Sequence, residues 1–124
     1  MICRLLAGLF QRTPPAIGPG EAHAASNHGS AVLLDVREPD EWQAGHAPQA
    51  DHIPLGQLEH RLAELPRDRQ IITVCRSGRR SVLAARLLAA RGYQAINLTG
   101  GMTAWACTGL PVVTATGHSP GRIL

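Results

Sequence analysis

Aromatic residues are scarce in this chain: Phe10, Trp42, Tyr93 and Trp105 are all it has. Its core must therefore be aliphatic and alanine-based, and flat stacking platforms for nucleic-acid bases are few. Lysine is missing, so all twelve basic residues are arginine. Acidic residues stop at Asp68. Residues 1–68 carry nine acids and five arginines, whereas residues 69–124 carry seven arginines and no acid. The C-terminal half should accordingly attract small anions. Nucleic acid is not an expected partner, because Arg76, Arg79 and Arg80 gather around one cysteine instead of forming an extended stripe with interleaved aromatics.

Cysteine is also sparse. Cys3, Cys75 and Cys107 are odd in number and far apart, which argues against a disulfide framework and against a paired-cysteine zinc site. A reducing, cytoplasmic setting fits that usage. Long hydrophobic runs are absent: residues 2–10 are apolar but interrupted by Arg4, too short to span a bilayer, and without a signal-peptide core and cleavage site. Neither a transmembrane segment nor secretion is expected. The histidines are scattered without metal-ligand spacing, and His46 reads as a hydrogen-bonded turn residue.

What is present fits one compact domain, given 124 residues of which 44% are hydrophobic. Ile2, Leu5, Leu6, Leu9 and Phe10 share one helical face ahead of Pro14-Pro15, so residues 1–15 are expected to form an amphipathic helix and a proline linker. That helix either rests on its own domain or frays, or else meets a membrane surface or a second copy. The main domain is expected over residues 16–113, with a loosely held tail at 114–124.

Within the domain, apolar runs alternate with helix-period segments, the pattern of an α/β fold with a mainly parallel sheet. Strands are predicted at 31–35, 71–74 and 95–98, with weaker signals at 16–17 and 52–53. Helices are predicted at 20–26, 39–44, 55–65, 79–91 and 102–108, with Gly92 and Gly109 placed as helix-ending glycines. No repeat or low-complexity tract appears. Cys107 is expected to pack as a small hydrophobe beside Trp105.

The chemistry concentrates in Cys75-Arg76-Ser77-Gly78-Arg79-Arg80-Ser81, which follows an apolar strand and opens an alanine- and leucine-rich helix. A cysteine at that junction faces free backbone N–H groups and the positive end of the helix dipole, both of which favour a thiolate. Neighbouring cations and a helix N-terminus can lower a free thiol from about 8.5 to between about 3.5 and 7.5. Gly78 permits positive φ, Ser77 and Ser81 offer hydroxyl donors, and the loop is shaped like an anion-binding nest. Cys75 is thus the candidate nucleophile, with Arg76, Ser77, Gly78, Arg79, Arg80 and Ser81 the candidate substrate-binding residues.

This loop resembles the active-site loop of rhodanese-family sulfurtransferases, in which a cysteine opens a short loop and Arg-x-Gly follows. The segments Leu34-Asp35-Val36-Arg37-Glu38-Pro39-Asp40-Glu41-Trp42 and Gly45-His46 resemble the family's N-terminal signature. Gly100-Gly101-Met102-Thr103-Ala104-Trp105 with Gly109-Leu110-Pro111-Val112 resembles its C-terminal one. The resemblance spans about residues 17–113 and implies a three-layer α/β/α domain with a central, mainly parallel five-stranded sheet. The catalytic loop would then sit at a strand's C-terminal edge, where open α/β sheets bind ligands. Ala47 and Gln49 depart from the family pattern in a supporting loop, which bears on packing rather than chemistry. Asp35 and Arg37 read as structural ion-pair and hydrogen-bond partners, since persulfide chemistry needs no carboxylate base once the thiol is ionised.

The resemblance further implies a Cys75 persulfide that moves a sulfane sulfur from a small anionic donor such as thiosulfate to a thiophilic acceptor, cyanide or a thiol. No metal or organic cofactor is expected. A protein-partnered persulfide carrier or a regulatory module remains open as an alternative, with a sulfur-relay protein as partner. A cysteine phosphatase or arsenate reductase on the related fold fits less well. Such phosphatases need Arg six positions after the cysteine, where this chain has Ser81.

Overall fold

The computed structural model describes residues 13–124. The predicted N-terminal helix and Cys3 lie outside the described residues. Five strands form one sheet: β1 (Ala16–Ile17), β2 (Ala31–Asp35), β3 (Asp51–His52), β4 (Gln70–Val74) and β5 (Ala95–Leu98). Their order is β1-β5-β4-β2-β3, and every pairing is parallel. Parallel strands need crossovers, which here contain the helices α1 (Pro19–Asn27), α2 (Pro39–Ala44), α3 (Leu55–Leu58) and α4 (Arg79–Ala90), while α5 (Gly101–Cys107) follows the last strand.

Two apolar layers result because successive strand residues point to opposite faces. On one face Leu33, Ile72, Val74 and Leu98 meet Ala22 of α1 and Met102 and Trp105 of α5. On the other, Leu34, Ile71 and Cys75 meet Leu58 of α3 and Ala84 and Leu88 of α4. The domain is therefore a three-layer α/β/α sandwich. β2 is buried along its whole length, which explains why its sequence is a continuous apolar run ending in Asp35.

Three local expectations change. The helix expected at 55–65 is split into α3 and a 3₁₀ turn at Leu62–Glu64, and the break lets Leu58 and Leu65 both enter the same core cluster. Cys107 is exposed. Met102 and Trp105, three apart, take the buried side of α5, and a residue two further on points away from it. The tail at 114–124, expected to be loosely held, folds back on the domain. Ala115 donates to the Gln43 carbonyl at 3.1 Å, Gly121 to Val112 at 2.7 Å and Arg122 to Ala44 at 2.8 Å. A Cβ on Gly45 would collide with the Arg122 backbone, so the tail lies directly on that turn.

Candidate active site

Cys75 follows the last residue of β4, and the period of two puts it on the same face as Ile71, against α4. The chain then turns through Gly78, whose φ of +124° is strained for any residue with a side chain. α4 starts at Arg79. The Gly78 N–H points back at the Cys75 Sγ at 3.0 Å, and the Ser81 Oγ stands 3.3 Å from the same sulfur. Cys75 itself is 1% exposed.

Burial pushes the Cys75 thiol up, but the Ser81 hydroxyl and the backbone N–H groups of Ser81, Gly78 and Ser77 pull it down, and the net result is a thiol held below its ordinary value. The leading stabilising contributions are hydrogen bonds from the loop. The backbone N–H groups and the Ser81 hydroxyl expected from the sequence are among them, whereas none of the loop's arginines is.

Ser81 has one hydroxyl proton and three neighbours for it: the Gly78 carbonyl at 3.1 Å, the Asn97 carboxamide at 2.6 Å and the Cys75 sulfur at 3.3 Å. Ionised sulfur is the most demanding acceptor of the three. As placed, the Ser81 hydroxyl donates to the Asn97 Oδ1; a carboxamide turned to present its NH₂ end would instead donate to the Ser81 oxygen and leave the hydroxyl proton to the sulfur. Asn97 is 8% exposed, and it acts on the sulfur only through Ser81.

The loop is also fixed from outside. The first turn of α5 donates to its carbonyls, Met102 N–H to Cys75 at 2.8 Å and Thr103 N–H to Arg76 at 3.0 Å. Gly101 makes that approach possible: its φ is +60°, and a Cβ there would collide with both loop carbonyls. From the sheet, Thr73 Oγ1 donates to the Ser81 carbonyl at 2.8 Å.

The loop's arginines separate. Arg80 forms a bidentate pair with Glu41, Nη1 to Oε1 at 2.6 Å and Nη2 to Oε2 at 2.9 Å. The Arg80 guanidinium holds the Glu41 carboxyl below the usual range, against the opposing effect of its burial. The expectation that Arg80 faces the donor thus meets a guanidinium already occupied along one edge. Arg76, Ser77 and Arg79 are exposed.

A family model described as Rhodanese-like domain matches residues 18–107. The chain belongs to the rhodanese-like family. It is 41% identical over 87 residues to a protein named Sulfurtransferase from Allochromatium vinosum, a match covering 69% of this chain and 81% of that one. It is 45% identical over 77 residues to the putative sulfur carrier protein YrkF of Bacillus subtilis, covering 61% of this chain but 42% of YrkF. Among solved structures, a rhodanese-related protein from Thermoplasma volcanium superposes with a TM-score of 0.74 at 30% identity, covering 80% of this chain and 97% of that one.

In this rhodanese-like domain Asp35 and Arg37 form a fully buried ion pair at 2.7 Å beside the end of β4. The Arg37 Nη2 also donates to the Gly45 carbonyl at 2.7 Å, while Nη1 has no hydrogen-bond partner among the described residues. His46 Nδ1 lies 2.6 Å from the Trp42 carbonyl, and His52 Nε2 lies 2.7 Å from the Arg37 carbonyl. Both rings lie parallel to Trp42. The family departures fit their places: Ala47 is fully buried, and Gln49 donates to Ser26 of α1 at 3.1 Å.

Among the described residues, no cluster of His, Cys, Asp or Glu could hold a metal, and no helix is long and apolar enough to cross a membrane. Sequence reasoning passed over Glu41 and Asn97. Glu38-x-x-Glu41 signals only a helix cap, which the structure does contain. Asn97 carried a usable signal, a carboxamide inside an apolar strand.

Proposed function

We propose that the protein is a sulfurtransferase in which Cys75 carries a sulfane sulfur as a persulfide. The observation that carries this reading is the Cys75 sulfur at the N-terminus of α4, hydrogen-bonded by Gly78 N–H and Ser81 and biased towards the thiolate. In the first half-reaction the thiolate attacks the outer sulfur of thiosulfate. The S–S bond of the donor breaks, sulfite leaves with the electron pair, and Cys75 becomes a persulfide. In the second, cyanide or a thiolate attacks the outer sulfur. The Cys75–sulfur bond breaks, its electron pair returns to Cys75, and thiocyanate or a new persulfide departs.

Backbone N–H groups of the loop from Arg76 to Ser81 stabilise the terminal sulfur, and Arg76 attracts the anionic donor. Asp35 and Arg37 hold the neighbouring turn in place. No step calls for a metal or organic cofactor, and a reducing cytoplasm keeps the thiol available. The test is thiosulfate:cyanide activity of wild type beside Cys75→Ala. Activity confined to wild type supports the reading, and equal rates sink it.

A second reading, a carrier loaded only by a protein partner, draws support from the relative named as a putative sulfur carrier. Mass spectrometry after thiosulfate treatment separates the two. Gain of one sulfur on Cys75 favours the enzyme, whereas loading only from a persulfidated protein favours the carrier. Phosphatase chemistry is disfavoured because the buried Ser81 stands where such a loop needs arginine.

A further inference from the structure

We infer that the exposed face of α4 beside the Cys75 loop is a docking surface for an acidic protein that brings the acceptor thiol. This rests on the sulfur-transfer reading and names the acceptor's class. α4 buries Ser81, Ala84, Ala85 and Leu88. Its outer face carries Arg79, Leu83 and Arg86, spaced four and three residues apart and hence aligned along the helix. Leu83 is 53% exposed, more than any other large hydrophobic side chain among the described residues.

One exposed leucine is ordinary. Its setting is less so. Arg76, Arg79 and Arg86 are all exposed, and none has a side-chain hydrogen bond or ion pair among the described residues. Other arginines of this chain do find partners: Arg80 pairs with Glu41, Arg91 with Glu59, and Arg67 stacks on Tyr93. Residues 69–124 contain no acid, and neither do residues 1–12, so the chain supplies nothing nearby in sequence to neutralise the three.

Binding of a small donor accounts for Arg76 and Arg79, which follow the cysteine within its loop and at the start of α4. It does not account for Arg86, two turns further along α4 and about 10 Å from Arg79 by helix rise. An arginine row around an apolar side chain, starting at the reacting sulfur, matches an acidic protein surface with an apolar contact at its centre. With no aromatic residue on this face, a nucleic acid fits it less well. Transfer needs no outside oxidant. The acceptor thiolate attacks the outer sulfur of the Cys75 persulfide, its new S–S bond forms as the Cys75–sulfur bond breaks, and Cys75 leaves as thiolate.

The test loads the full chain with thiosulfate and offers two cysteine peptides, one with glutamates and a leucine around the cysteine and one with lysines in place of the glutamates. The acidic peptide should be persulfidated about tenfold faster, and added salt should erase the difference. Arg86→Glu should abolish the preference and Leu83→Gln should slow the acidic peptide, while both variants keep wild-type loading and wild-type discharge to cyanide.

Equal rates for the two peptides overturn the inference, as does a preference that survives Arg86→Glu. Binding of poly-uridine RNA or phosphatidylserine vesicles that Arg86→Glu removes, without any peptide preference, assigns the face to that ligand instead. Failure of Cys75 to load from thiosulfate and from a persulfidated protein alike overturns the sulfur-transfer reading, and the inference falls with it.

Discussion

Arg80 and Glu41 lie 39 residues apart in the chain and meet in a bidentate ion pair that ties the Cys75 loop to α2. Glu41 also accepts the Glu38 N–H at 3.0 Å, so the carboxylate is held by the cap of its own helix as well. The side chains are 34% and 15% exposed, and a partly solvated pair of this kind contributes about 1 kcal/mol. Glu41→Gln should lower stability by about that amount at neutral pH.

The pH dependence of that difference follows from the depressed carboxyl. A lowered folded-state pKa contributes stability above the usual carboxylate value of 4.5 and loses it as pH falls through the depressed value. The gap between wild type and Glu41→Gln should therefore be full at neutral pH and close in acid, as read by urea denaturation at several pH values. A gap that is constant down to strongly acidic pH contradicts the assignment.

Ser81→Ala removes the largest contribution that lowers the Cys75 thiol. The pH midpoint of Cys75 alkylation by iodoacetamide should move upward, and activity should fall more in mildly acidic than in alkaline buffer. Asn97→Asp should shift the midpoint the same way by a different route. A carboxylate can only accept, so it keeps the Ser81 proton away from the sulfur with no alternative orientation, and it adds a negative charge nearby. An unchanged midpoint in both variants would falsify the hydrogen-bonded account of the thiolate.

Gly101→Ala tests the contact between α5 and the loop. Its positive φ and the collision of a Cβ with the Cys75 and Arg76 carbonyls should cost at least about 2 kcal/mol, with loss of activity larger than the loss of folded protein. Thermal denaturation and activity measured on the same sample check both parts.

Asp35→Ala leaves Arg37 buried without its counter-charge and should destabilise by about 3–5 kcal/mol. Replacing both residues by apolar ones of similar size should recover much of that, because the cost lies in an unpaired buried charge. Chemical denaturation of the single and double variants gives the comparison.

Much of the fold was legible in the sequence because its signals are local. β2, β4 and β5 are short apolar runs set between turn residues, and the strand–loop–helix around Cys75 announces itself by residue type. The split of the 55–65 helix was not legible, since the apolar spacing of Leu55, Leu58, Leu62 and Leu65 fits one continuous helix as well as two short turns. The seating of the tail was not legible for a related reason: its polar, glycine-containing sequence reads as loose, while backbone hydrogen bonds to Gln43, Ala44 and Val112 and the packing of Ile123 on the core hold it.

By itself the sequence determined the α/β class, the position of Cys75 at a helix N-terminus and the family resemblance, because each depends on neighbours in the chain. Only the tertiary structure decided which groups tune the sulfur and which arginines are left for a ligand. Asn97 of β5 meets Ser81 of α4 beside the thiol, and Glu41 occupies Arg80 from a third element. Such pairings depend on how the elements pack against the sheet, and spacing along the chain carries no record of them.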